Sequence, residues 1–349
     1  MSITTFTLFS LYLSTLSDTF SNALPDHPTP YLSPVTFFPN YQNMLNTFKI
    51  FIYEPNTTFA YDSPTQSLFH ASLRNSPFAT QNAEQAHLFF IPFPSDLSRV
   101  VRGLRKSFPY WNRTLGADHV YVSCDDKTTT DSDRNILELR KNSIQISCFP
   151  TSSGKFIPHK DITLPPLSVG EGMTIGRSSN ATQSFLGYFR YDGGGEEVSQ
   201  SALAKQMADD PDFLVDFEPS NEISFTERAS TSKFCLFEYG SDMSRIGEAL
   251  GLGCVPVVMT DRPIKDLPFT DVVRWQEIAM FVAIGRGVDE LKHVLGRTSG
   301  ELYARMRGMG VSVSKHFVWH VSPEPYDCFN TLIYQLWLRR HTIRYVLRD

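Results

Sequence analysis

The chain has 349 residues, of which 41% are hydrophobic and 20% charged, and its formal net charge is −5. These proportions belong to a globular protein long enough to build two cores, and the mildly acidic balance supplies no basic field that would hold nucleic acid. With 27 phenylalanines and 22 prolines, many short buried strands ended by turns are expected rather than long helices.

The opening MSITTFTLFSLYLSTLS is uncharged and moderately apolar. With no Lys or Arg preceding it, it reads equally as a weak signal-anchor or as a disordered tail. The proline-rich stretch from Pro25 to Pro39 follows as an extended stem, which sets residues 1–44 apart from the folded domains.

From Thr47 the pattern becomes α/β. FKIFIY (48–53), HLFFIPF (87–93) and HVYV (119–122) are apolar runs of strand length, separated by helix-compatible segments near 65–74 and 96–107. This alternation predicts a doubly wound, mostly parallel sheet over 45–166, with DITLPP (161–166) as its last strand. The Gly- and Ser-rich residues 167–200, including Gly193, Gly194 and Gly195, read as a hinge that contains the strand-like SFLGYF (184–189). A second domain of the same kind is expected over 167–320, and residues 321–349 carry a helical pattern that folds back on the domains.

The five cysteines, Cys124, Cys148, Cys235, Cys254 and Cys328, show no CxxC spacing. That argues against a zinc knuckle and leaves at least one thiol unpaired within the chain. Asn56, Asn112 and Asn180 head glycosylation sequons, which matter only if the chain enters the secretory route.

The stretch SKFCLFEYGSDMSRIGEALGLGCVPVVM (232–259) reads as one βαβ unit, KFCLF and CVPVVM being strands and RIGEALGLG the helix between them. Ile246, Ala249, Leu250 and Gly253 form the stripe that faces the sheet, and Arg245 and Glu248 share a neighbouring face. The loop before the helix lies at the carboxyl end of a parallel strand, where open α/β sheets bind ligands, and the helix start suits a phosphate or diphosphate. In that reading Gly240 lets backbone approach, Ser241 and Ser244 donate hydroxyls, Arg245 grips phosphate oxygens and Glu248 accepts from ribose hydroxyls. The same spacing also fits an exposed i, i+3 ion pair, with Asp242 or Ser244 capping the helix.

Several segments, in this order, resemble the exostosin-type family of glycosyltransferases, which includes heparan-chain polymerases of animals and many cell-wall glycan transferases of plants. They are FKIFIYEP (48–55), SPFATQNAEQAHLFFIPF (76–93), FPYWNRTLGADHVYV (108–122), KDITLP (160–165), SKFCL (232–236), RIGEALGLGCVPVV (245–258) and LPFTDVVRW (267–275). The resemblance implies a GT-B-like architecture, two Rossmann-like domains facing a cleft, with the nucleotide sugar on the second domain and the glycan acceptor entering from the first. It further implies an inverting, metal-independent transfer in the Golgi lumen on a type II membrane anchor, and an oligomer or complex with other glycosyltransferases. No cofactor is implied, the nucleotide sugar, foremost a UDP-sugar, being a substrate.

A single-displacement transfer needs a base for the acceptor hydroxyl and positive charge for the leaving diphosphate. Asp125 and Asp126, at a strand end on the ligand edge, are the candidate bases, with His119 as a further candidate. Asp118 and His119 are adjacent on a strand and are expected to face opposite sides. Arg190, at a strand end of the second domain, is a candidate phosphate contact, and Trp111 and Trp275 are either sugar platforms or core aromatics. The chain departs from the family where Asp125, Asp126 and Lys127 replace a His-containing turn, and where the loop from Gly240 to Arg245 is shorter than usual. Two other readings compete: a metal clamp built on DSD (131–133), and a catalytically degenerate carbohydrate-binding or assembly subunit.

Overall fold

The computed structural model describes residues 28–54, 60–61, 63–92, 97–124, 133–151, 156–167, 183–191, 202–217 and 222–342. Helix α1 (Pro34–Thr47) precedes a six-stranded parallel sheet built from β1 (Ile50–Ile52), β2 (Ala79–Thr80), β3 (Leu88–Ile91), β4 (His119–Ser123), β5 (Ile144–Cys148) and β6 (Ile162–Leu164). Its order is β2-β1-β3-β4-β5-β6, and α2 (Pro64–Arg74), α3 (Leu97–Ser107), α4 (Tyr110–Thr114) and α5 (Arg134–Asn142) lie between the strands in sequence. A second parallel sheet, ordered β11-β10-β9-β7-β8, comprises β7 (Phe185–Arg190), β8 (Phe213–Asp216), β9 (Ser232–Glu238), β10 (Val255–Met259) and β11 (Met280–Val282). With it go α6 (Ala202–Ala208), α7 (Glu222–Thr231), α8 (Ile246–Leu252), α9 (Gly287–Gly296), α10 (Gly300–Val313) and the terminal α11 (Cys328–Thr342).

The expected pair of doubly wound α/β units is present. Strand alternation distributes their apolar residues between layers. Along β3, Leu88 and Phe90 meet Phe69 of α2 and Phe329 of α11, whereas Phe89 and Ile91 face α3, α4 and α5 through Val101, Trp111 and Leu139. Along β9, Cys235 and Phe237 join the first of these cores with Phe225 and Ile246, while Phe234 and Leu236 pack with Met207, Leu291 and Met306. One buried cluster therefore runs through both sheets and α11. Arg339 of α11 reinforces this join, donating to the carbonyls of Lys160 at 2.9 Å and Asp161 at 3.0 Å and to Asp271 Oδ2 at 2.8 Å.

The stem expectation is corrected for the described residues. Leu32 N–H donates to the Val272 carbonyl at 2.9 Å and Arg274 N–H to that of Pro30 at 2.8 Å, so the chain before α1 is stitched to the second unit. Pro34 starts α1, where its missing N–H costs nothing, but Pro39 lies inside it. The helix persists because Phe37, Tyr41 and Met44 bury one face, each worth about 1.5–3 kcal/mol against roughly 3 kcal/mol for an internal proline. The glycines expected as a hinge, Gly193 to Gly195, lie outside the described residues.

Two disulfides tie neighbouring strands: Cys124, just past β4, with Cys148 at the end of β5, and Cys235 within β9 with Cys254 just ahead of β10. Cys328 is a buried free thiol.

Candidate active site

In both sheets the third strand lies beside the first, so the connections leave in opposite directions and open a crevice at their carboxyl ends. In the second unit this crossing is β7/β9. Arg190 ends β7, and the loop after β9 carries Gly240 and Ser241 and leads through Ser244 to Arg245, at the cap position of α8. Gly240 has φ +102, a conformation that disfavours side chains, and Ser241 N–H closes the turn on the Glu238 carbonyl at 3.1 Å.

Arg245 Nη1 meets Glu248 Oε2 at 2.6 Å, with the two side chains only 14% and 11% exposed. The guanidinium also stacks over the Phe225 ring at 5.1 Å, and Glu248 Oε1 accepts from Thr226 Oγ1 at 3.1 Å. The pair is thus buried against α7, which corrects the exposed-pair reading; each carboxylate oxygen of Glu248 already has one partner within the protein. Asp242 Oδ1 accepts from Ser244 N–H at 2.8 Å, and its Oδ2 lies 4.0 Å from Arg190 Nη2. Asp242 therefore holds the turn just ahead of this seven-residue helix, between Arg190 and the Ser244 N–H. Tyr188, Arg190, Phe225, Asp242 and Arg245 line the resulting pocket.

Sequence reasoning missed what surrounds it. Asp266, 2% exposed, accepts from Thr151 N–H and Thr151 Oγ1 at 2.7 Å each and from the Tyr239 hydroxyl. Thr151 follows β5, so this bridge joins the two units at their carboxyl edges; burial and then Asp266 raise the Tyr239 pKa. At the corresponding β1/β3 crossing of the first unit, the Tyr61 hydroxyl donates to the Pro92 carbonyl at 2.9 Å and its ring meets His70 edge-on at 5.6 Å. Burial, aided by Arg74, lowers the His70 pKa and keeps the ring neutral. No short motif marks either place, because their members are distant in sequence.

His119 is not a base in the cleft. It opens β4 at the amino end of the sheet, opposite the ligand edge, and is 0% exposed. Its Nδ1 pairs with Asp118 Oδ1 at 2.8 Å and its Nε2 with the Tyr53 hydroxyl at 2.8 Å, between the rings of Tyr53 and Phe89. Asp118 precedes the strand in a turn, so strand alternation does not separate the two side chains as expected. Burial lowers the His119 pKa; it opposes the charge of Asp118 as well, but hydrogen bonds from His119 and Thr114 and the nearby Arg113 hold that carboxyl low. Trp111 and Trp275 are core residues, 0% and 2% exposed. Asp125 and Asp126 lie outside the described residues, directly after the Cys124–Cys148 link. Of DSD, Asp133 caps α5 through Asn135 N–H at 2.8 Å and accepts from Ser98 at 2.6 Å, so it is committed elsewhere.

The family model described as the Exostosin GT47 domain matches residues 44–298. The chain belongs to the exostosin GT47 family. As a GT47 glycosyltransferase it is 28% identical to a protein of Arabidopsis thaliana named a probable glycosyltransferase, over 93% of this chain and 74% of that one. A protein of the same plant named a probable beta-1,4-xylosyltransferase is 25% identical over 76% of this chain and 72% of its own length. Among solved structures, the GtfA/B complex aligns with a TM-score of 0.38 at 10% identity, covering 85% of this chain and 63% of that one.

Proposed function

We propose that this glycosyltransferase moves a sugar from a nucleotide sugar, foremost a UDP-sugar, to a glycan acceptor with inversion and without an obligatory metal. The observation that carries the reading is that Arg190 and Arg245 line one small pocket at the β7/β9 crossing, on the carboxyl edge from which the Gly240 loop leaves β9. The acceptor enters at the β1/β3 crossing beside Tyr61 and His70. Its hydroxyl oxygen attacks the anomeric carbon, a base takes the proton, and the carbon–oxygen bond to the diphosphate breaks with the electron pair leaving on phosphate. Arg190 and Arg245 stabilise that charge. The base we assign to Asp125 or Asp126, which follow Cys124 in sequence.

The two disulfides favour an oxidising compartment, which supports a Golgi-lumenal enzyme held by its N-terminal segment. No helix among the described residues is long and apolar enough to cross a membrane. The xylosyltransferase-named relative makes UDP-xylose a first donor to try.

The experiment is a panel of UDP- and GDP-sugars with glycan acceptors, followed by nucleotide release in the presence and absence of EDTA. Release that survives EDTA is expected, and Arg190→Ala is expected to weaken UDP binding about tenfold. A requirement for a divalent ion overturns the metal-independent scheme. One observation favours a second reading, a binding subunit without turnover: Asp242 places a carboxylate 4.0 Å from Arg190 Nη2 and on the Ser244 N–H just ahead of α8. Nucleotide and glycan binding with no release on the whole panel would select it.

A further inference from the structure

Resting on the donor-site reading, we infer that Arg262 grips the distal phosphate of the nucleoside diphosphate. Arg245 and Arg190 each face a carboxylate of the chain, Glu248 at 2.6 Å and Asp242 at 4.0 Å, so a phosphate must share or displace those partners. Arg262 is differently placed. It follows β10, the neighbour of β9, and comes to the same carboxyl edge. Its guanidinium makes no hydrogen bond or ion pair with any described residue; it stacks over the Tyr239 ring at 5.1 Å.

Two features hold that cation in place. Tyr239 is fixed by its hydrogen bond to Asp266, which Thr151 anchors from the first unit, so the stacking surface is rigid. The guanidinium also lies on the Gly240 backbone, and a Cβ added to Gly240 would stand 3.3 Å from Arg262 Nη2. The nearest acid in sequence, Asp261, is turned to Gly285 N–H at 3.2 Å. An exposed arginine with its plane set by an aromatic ring retains its hydrogen-bonding fork for an incoming oxyanion, and phosphate matches that fork. Arg262 stands one strand further along the edge than the β9 loop that leads to Arg245, and that offset is our ground for assigning it the end of the diphosphate remote from the nucleoside, where charge develops as the sugar leaves.

Calorimetric titration of the full chain and of Arg262→Ala with UDP, UMP and uridine tests this. The variant is expected to lose about tenfold or more in UDP affinity, to bind uridine unchanged, and to keep the wild-type melting temperature because the side chain is exposed. Arg262→Glu is expected to lose more. Equal UDP affinity in wild type and Arg262→Ala overturns the inference while leaving the donor site standing, and an equal loss for uridine overturns it in favour of a structural role. Wild-type protein that binds neither UDP nor GDP overturns both this inference and the donor-site reading.

Discussion

Arg245 and Glu248 are one helical turn apart, and that much is visible in the sequence. Their burial is not, because the side chains that cover them, Phe225 and Thr226, belong to α7 and reach them only once that helix packs against α8. The distinction changes the expected outcome of mutation. An exposed i, i+3 pair is worth a few tenths of a kcal/mol, whereas removing one partner of a largely buried pair strands a charge. Glu248→Ala is therefore expected to destabilise the fold by about 2–3 kcal/mol, somewhat below the range for a fully buried pair, as read by denaturant unfolding. Glu248→Gln, which keeps an acceptor for Arg245, should cost less. The same logic explains why Arg262 had no sequence signal: its contacts, Tyr239 and Gly240, come from the neighbouring strand's loop.

Elements with bulky apolar residues on both faces announced themselves. β1, β3, β4, β9 and β10 lie inside their sheets, and their runs of Phe, Ile, Val and Leu are buried to both sides. β2, β8 and β11 were silent because they are edge strands of two to four residues, partly exposed and too short to stand out as an apolar run. α1 was silent for the opposite reason: its prolines imitate an extended stem, and only the docking of Phe37, Tyr41 and Met44 makes a helix the better arrangement. The helix of the central βαβ unit was legible from its stripe, and Gly253, at φ +73, ends it as a left-handed cap should. Here the Cys235–Cys254 bond closes a loop of sequence separation 19. Its loss in a Cys235→Ala/Cys254→Ala variant is expected to cost about 3 kcal/mol by loop-closure entropy, measurable as a lowered melting temperature that reductant lowers further only through the other disulfide.

Across the whole molecule, the joins between the units depend on groups that must stay neutral. His316 is completely buried, where Nε2 accepts from the Tyr31 hydroxyl at 3.2 Å and Nδ1–H donates to the Tyr326 carbonyl at 2.7 Å. That network holds the segment before α1, the loop before α11 and the end of α10 together. Burial, with Lys315 adding to it, pushes the His316 pKa down to about 3; burial likewise lowers His119 and His70. For a histidine depressed in the folded state, the unfolded chain takes up the proton first. The stability from these sites is complete above the ordinary histidine value near 6.5 and is lost as pH falls from there toward the folded-state values. Each fully protonating site contributes about 1.4 kcal/mol per pH unit. Asp327 works the other way, its pKa raised by burial, so its contribution grows as pH falls and softens the decline. The melting temperature should hence drop steadily between pH 7 and pH 5. His316→Gln, an amide that can accept from Tyr31, should lower the plateau at neutral pH yet flatten the slope below it. An unchanged slope in that variant would mean that the buried imidazole is not what makes the joined units acid-sensitive.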